Sequence, residues 1–193
     1  MGREFELKYA ADAPRQEALR GAFPGKWRII TMETTYYDTP EADLSARRVT
    51  LRRRMENGVP VCTVKTPAVG GARGEWECPG EKIEEAVEML CKLGCPAALS
   101  GWAKKGLVPI CGARFTRQAL TLTVGECTVE LALDAGELLG GGRTLPMCEV
   151  EVELKAGDEA AAVAFAEELA ARFALKPEKS SKFRRALALA KGE

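Results

Sequence analysis

A chain of 193 residues with 46% hydrophobic and 29% charged side chains is long enough to bury roughly two-thirds of the surface it exposes when unfolded, and too apolar for a disordered segment. Lysine plus arginine and aspartate plus glutamate stand at 28 each, so overall charge gives no reason to expect a nucleic-acid or membrane-surface partner. There is no histidine, and the first residues carry no basic segment followed by an apolar run, so the sequence reads as a cytoplasmic protein with no membrane span.

The opening Glu4-Phe5-Glu6-Leu7-Lys8-Tyr9 alternates charge with apolar bulk, as a β-strand with one buried face does. Residues 14–23 begin with proline in a first turn and carry Leu19 and Phe23 one helical turn apart. Strands with the opening pattern follow at 49–55, 61–66 and 73–78. They place Arg52 and Arg54, then Lys65, then Arg73, Glu75 and Glu77 on their polar faces. A helix is predicted over 81–93, with Ile83, Val87, Leu90 and Cys91 on one stripe and Gly94 to end it. Two further strands, 117–124 and 128–134, turn Arg117, Glu130 and Asp134 away from a row of leucines and valines. The strand 148–155 does the same with Glu149, Glu151, Glu153 and Lys155. Helices are expected over 158–173 and 178–190. Turns such as Glu56-Asn57-Gly58 and Gly140-Gly141-Gly142 join strands rather than leading into helices, so hairpins are expected there and not phosphate loops.

The seven cysteines are scattered and odd in number, which favours small reduced core residues over a disulfide framework. Cys91 and Cys95 are close in sequence, but the absence of histidine and of a second close pair argues against a tetrahedral zinc site.

One strand with a charged face is ordinarily a solvated surface. Here the charges are sorted: Glu4 and Glu6 on one strand, Arg52 and Arg54 on another, three glutamates on a third. Like charges side by side on a sheet cost stability unless something compensates them. If the strands close into a barrel, the charged faces line its lumen and the apolar faces point outward for the helices to cover. Arginines and lysines can then clamp a polyphosphate, while carboxylates hold the hard cations that bridge to phosphate oxygens.

The ordered set of motifs resembles the CYTH domain, or triphosphate tunnel metalloenzyme, family. The matching residues are Glu4-x-Glu6-x-Lys8, Tyr36-Tyr37-Asp38-Thr39-Pro40, Leu51-Arg52-x-Arg54, Thr63-x-Lys65 and Arg73-x-Glu75-x-Glu77. Arg117, Asp134-Ala135-Gly136-Glu137, Glu149-x-Glu151-x-Glu153-Leu154-Lys155 and Ser181-Lys182 follow in the same order. The resemblance covers essentially the whole of residues 1–193 as one domain. It implies an α+β fold, an eight-stranded antiparallel β-barrel or tunnel with helices packed on the outside.

It further implies Mg²⁺ or Mn²⁺ held by Glu4 and Glu6 with one or two of Glu149, Glu151 and Glu153. Catalysis would rest on Glu4, Glu6, Lys8, Glu149 and Glu151. Phosphates would be held by Lys8, Arg52, Arg54, Lys65, Arg73, Arg117 and Lys182, with Glu75, Glu77, Glu130 and Asp134 in support. Arg114 takes the place of Arg117 if the strand register shifts by one; Arg47, Arg48 and Arg53 read as surface charges. The activity expected is metal-dependent hydrolysis of triphosphate substrates, inorganic triphosphate first, releasing orthophosphate. Adenylate cyclase or thiamine triphosphatase chemistry on the same tunnel, and a binding module without turnover, are the alternatives. Trp27, Tyr36, Tyr37 and Trp102 could stack on an organic ring, though packing is the commoner role for such residues. A homodimer through an outer barrel face is compatible with the sequence, which does not specify one.

Overall fold

The computed structural model describes residues 2–69 and 72–193, with the side chains of residues 2–4, 68, 69, 72 and 73 outside the description. The strands are β1 (Gly2–Glu4), β2 (Glu6–Ala10), β3 (Arg28–Asp38), β4 (Thr50–Glu56), β5 (Val59–Val69), β6 (Ala72–Pro79), β7 (Val108–Val124), β8 (Cys127–Gly140), β9 (Arg143–Ala156) and β10 (Lys176–Pro177). The helices are α1 (Ala13–Ala22), α2 (Asp43–Ala46), α3 (Ile83–Lys92), α4 (Ala98–Ala103), α5 (Glu159–Arg172) and α6 (Lys182–Lys191).

All strands belong to one antiparallel sheet in the order β1-β6-β5-β4-β3-β7-β8-β9-β2-β10. This hydrogen-bonded ladder is open, unlike the closed barrel expected from the sequence. Its two ends are nevertheless joined by the chain, because Phe5 alone separates β1, which pairs with β6, from β2, which pairs with β9. The Phe5 carbonyl accepts from the Leu154 amide at 3.0 Å. Counting β1 and β2 as two halves of one strand restores the eight expected strands, with β10 as a two-residue edge.

Alternation along the strands divides the apolar residues into three cores. On one outer face Val129, Leu131, Leu133, Val150 and Val152 pack with Leu19 of α1 and with Phe165, Ala166 and Leu169 of α5. Burying a side chain such as Phe165 or Leu169 contributes about 2 kcal/mol. On the other, Leu51, Cys62, Val64 and Cys78 are covered by Leu44 of α2, Ile83, Val87 and Leu90 of α3, and Leu99 of α4. The third core is on the lumen side. There Phe183, Ala186, Leu187 and Ala190 of α6 lie against Met32, Tyr36, Cys111, Ala113, Phe115, Leu138 and Met147. So α6, one of the helices expected outside, plugs the inside of the sheet. Its close approach depends on Gly140, where a Cβ would stand 2.6 Å from the Ala190 nitrogen.

Local signals explain where the helices begin and end. Asp12, Asp158 and Ser181 accept backbone amides at the starts of α1, α5 and α6. α3 ends in a Schellman turn: Gly94 has φ of 91°, its amide bonds to Cys91 O, and the Cys95 amide reaches Leu90 O at 3.1 Å. The Tyr36-Tyr37-Asp38-Thr39-Pro40 motif is structural at its centre. Buried Asp38 accepts from the amides of Thr39, Leu44 and Ser45 at 2.8 to 2.9 Å and holds the turn into α2. Among the described residues, no helix is long and apolar enough to cross a membrane. All seven cysteines are free thiols.

Candidate functional site

The concave face of the sheet encloses a cavity of about 650 Å³. Strand register lays its charges out in rows. Glu6 of β2 stands opposite Glu153 of β9, which stands opposite Glu130 of β8. The next row sets Lys8 against Glu151. The one after it runs Glu149, Asp134, Arg117 across β9, β8 and β7. On the other part of the sheet Arg52 lies between Tyr36 and Thr63, with Glu77 beyond, while Thr50, Lys65 and Glu75 form a parallel row. The cavity is therefore carboxylate-rich along β2, β9 and β8, and carries Arg52, Arg54 and Lys65 along β4 and β5 with Glu56, Glu75 and Glu77 beside them.

Most of the residues expected in the site are brought together: Glu6, Lys8, Arg52, Arg54, Lys65, Glu75, Glu77, Arg117, Glu130, Glu151, Glu153 and Lys182 all line the cavity. Glu4 and Arg73 are opposite each other in register, but their side chains lie outside the described residues. Asp134 and Glu149 are fully buried and stand behind the lining. The register question is answered in favour of Arg117, because Arg114 points outward and pairs with Glu137 at 2.6 Å with most of its side chain in solvent.

Behind the lining lies an ion cluster. Arg117 grips Asp134 through two bonds of 2.8 Å and also pairs with Glu151. The Lys182 ammonium, carried in from α6, sits 2.8 Å from Asp134, 2.5 Å from Glu149 and 2.7 Å from Glu151. Arg185, one turn further along α6, pairs with the other oxygen of Glu149 and lies 3.6 Å from Glu178. Oxygens of Asp134, Glu149 and Glu151 all fall within 4.8 Å of one another, a spacing that suits a metal ion. Here the Lys182 ammonium takes the cation's place among them. Burial pushes the Glu151 carboxyl up, but Lys182 and Arg117 outweigh it and hold the group well below the usual carboxylate range. Burial likewise disfavours charge on Lys182 and Arg117, and the same carboxylates more than restore it.

The groups facing open space are less saturated. Glu153 pairs with Lys155 at 2.7 Å, and Glu130 with Arg28 and, at 4.0 Å, with Lys155. Lys65 lies 3.4 Å from Glu75, and Thr63 donates to Glu77 at 3.2 Å. Arg54 pairs with Glu56, yet its Nε is buried with no hydrogen bond among the described residues. Burial, and then the adjacent Arg52, lowers the affinity of Arg54 for its proton. A pair of neighbouring guanidiniums in this state is a place where an anion is favoured.

Sequence reasoning gave no role in the site to Arg28, Glu56, Lys155 or Arg185, although it set Lys155 on the charged face of its strand. Lys155 continues the face of Glu153, and Arg185 shares a helix face with Lys182 at i, i+3, so both carried a signal. Arg28 was hidden because Ile29-Ile30 breaks the alternation of β3. Of the aromatic candidates, Tyr36 lines the cavity and packs on Phe183 at 5.1 Å, whereas Trp27, Tyr37 and Trp102 pack against the outer cores. Arg47 lies over the Trp102 ring, and Arg53 donates to the Glu81 carbonyl.

The CYTH domain family model matches residues 2–187. An inorganic triphosphatase from Haemophilus influenzae is 28% identical over 167 residues, which is 82% of this chain and 47% of that protein. This chain thus spans about half the length of that relative. Among solved structures, a protein from Pyrococcus horikoshii aligns over 97% of this chain and 99% of its own, with a TM-score of 0.65 and 23% identity. A candidate adenylyl cyclase from Hippeastrum, described as having a dominant triphosphatase activity, aligns over 98% of this chain and 96% of its own with a TM-score of 0.67 and 20% identity. At these identities the two structures share the fold.

Proposed function

Because this chain belongs to the CYTH domain family, we propose that it is a divalent-metal-dependent hydrolase of inorganic triphosphate that releases orthophosphate. The observation that carries this reading is that one cavity holds both a carboxylate row, Glu6, Glu153 and Glu130, and, on another part of the wall, the cations Arg52, Arg54 and Lys65 set among Glu56, Glu75 and Glu77. A site for a polyanion alone has no use for such a row, and a cation site alone has none for the arginines.

Hard carboxylate oxygens from three adjacent strands fit Mg²⁺ or Mn²⁺. Glu6 and Glu153 would hold the ion, with Glu130 or Glu151 beside them. The bound ion would withdraw charge from a phosphate oxygen. The protein's own part is positioning and neutralisation. Arg52, Arg54, Lys65 and Lys8 bind phosphate oxygens, and Arg117 and Lys182 offer positive charge from the plugged end. In hydrolysis, a water oxygen attacks a terminal phosphorus and the bridging P–O bond breaks, leaving orthophosphate and pyrophosphate. The transition state spreads charge over the transferred group, so fixed cations lower its energy. Glu151, held ionised by Lys182 and Arg117, is suited to orienting a donor and poorly suited to taking the water's proton.

The test is orthophosphate release from tripolyphosphate, ATP and thiamine triphosphate, with Mg²⁺, Mn²⁺ or chelator, for wild type and Glu6→Gln. Metal-dependent release that favours tripolyphosphate and fails in Glu6→Gln supports the proposal. Cyclic nucleotide with pyrophosphate from ATP would make the domain a cyclase, and tight binding of tripolyphosphate without turnover would make it a binding module.

A further inference from the structure

We infer that Glu149 and Arg185 are positioning residues, which together hold the Lys182 ammonium at the plugged end of the tunnel so that it can meet a phosphate; this rests on the triphosphatase reading of the same site. Lys182 lies in the first turn of α6, and nothing in a helix start fixes a four-carbon side chain. What surrounds it is three carboxylates, Asp134 at 2.8 Å, Glu149 at 2.5 Å and Glu151 at 2.7 Å, and Glu149 is the one that Arg185 of the same helix also holds. One carboxylate oxygen of Glu149 takes Lys182 at 2.5 Å and the other takes the Arg185 guanidinium. Glu149 is fully buried, so both contacts work with little screening by water.

The clamp extends further. Arg185 also lies 3.6 Å from Glu178, and the Glu178 amide donates to the Lys8 carbonyl at 2.8 Å. One arginine therefore ties together β9, the segment leading into α6, and, through that segment, the strand that carries Lys8. On the far side of the sheet the buried Gln16 amide donates to the backbone carbonyls of both Asp134 and Glu149, pinning the strands from behind. The consequence for Glu149 is specific. The resemblance makes it a candidate metal ligand, but its two oxygens are engaged by α6 and it does not line the cavity. Its place in the chemistry runs through Lys182.

The test combines nitrogen-15 NMR of lysine ammonium groups with kinetics on Arg185→Gln and Arg185→Lys. In the wild type, the Lys182 ammonium, assigned by its loss in Lys182→Arg, gives a resolved signal protected from solvent exchange. Arg185→Gln broadens it away and Arg185→Lys restores it. On tripolyphosphate, Arg185→Gln raises KM about tenfold and leaves kcat within about twofold, as for a contact made equally in the ground and transition states. An unchanged signal or an unchanged KM in Arg185→Gln overturns the inference. So does a wild type with no protected Lys182 signal, a result that stands even if the variant fails to fold. If the protein turns over no triphosphate, the Kd for tripolyphosphate from calorimetry takes the place of KM. A tenfold rise in Kd then upholds the positioning role while the hydrolase reading falls, and no rise defeats the positioning role as well.

Discussion

Replacing Arg117 with methionine tests whether the ion cluster holds the sheet together. The side chains of Arg117 and Asp134 are 13% and 0% exposed, so solvent screening weakens their attraction little. Two hydrogen bonds of 2.8 Å join them, and Arg117 also pairs with Glu151. Removing one partner of a buried pair strands the other charge and costs about 3–5 kcal/mol. The lower end applies here, because Lys182 remains 2.8 Å from Asp134. A loss of about 3 kcal/mol corresponds to a fall in Tm of roughly 6–12 °C for a chain of this size. Differential scanning calorimetry measures it, and the double variant Arg117→Met with Asp134→Leu should recover at least half of the loss, because packed apolar residues can replace a buried pair. A fall of less than about 2 °C in the single variant, or a double variant less stable than the single, would refute the reasoning.

Three other outcomes follow from the same geometry. Glu153→Gln should leave Tm nearly unchanged, since its partner Lys155 is 41% exposed, while the Mg²⁺ concentration needed for half-maximal phosphate release rises at least about tenfold. Gly140→Val drives a side chain into the backbone of α6, where even a Cβ stands 2.6 Å from the Ala190 nitrogen. A loss of about 2 kcal/mol in urea denaturation is expected, with a raised KM for tripolyphosphate because Lys182 travels with the helix. Burial raises the thiol of Cys62 to about 11 and those of Cys95 and Cys111 to about 12, leaving them little thiolate at pH 8. Half-exposed Cys91 should therefore be alkylated by iodoacetamide before any of the three, as peptide mass spectrometry would show.

The strands carrying strict alternation are legible in the sequence, because one slip of register would turn every apolar side chain into the wrong environment. That holds for the segments bearing Arg52, Lys65, Glu75, Glu130 and Glu153, which line the cavity together. β3 is not legible, since its two successive isoleucines obscure the period; it takes Arg28, Ile30, Met32 and Thr34 into the cavity unannounced. The short α2 and α4 lack a full amphipathic turn pattern, and α2 is fixed by a carboxylate, Asp38, that precedes it by several residues. Least legible is the side of the sheet on which α6 packs. Its stripe of Phe183, Ala186, Leu187 and Ala190 says that one face is buried, and a stripe cannot say against what. That choice is made by tertiary contacts alone, among them the gap left by Gly140 and the carboxylates that receive Lys182 and Arg185.

The inward position of α6 also changes how the clustered glutamates should be understood. On sequence alone, like charges gathered on one strand demand an external partner. In the folded chain part of that demand is met internally, and unevenly along β9. Glu149 is answered by Lys182 and Arg185, Glu151 by Lys182 and Arg117, and Glu153, nearer the mouth, by a half-exposed lysine. Compensation thus weakens from the plugged end towards the end where Glu153 faces Glu6 across the strands. A cation set between those two strands would be attracted by both carboxylates. The gradient along one strand therefore sets apart residues that the sequence presents as one motif: the inner glutamates seat a helix and its lysine, and the outer one lines the cavity beside a half-exposed lysine, where the proposed metal would bind.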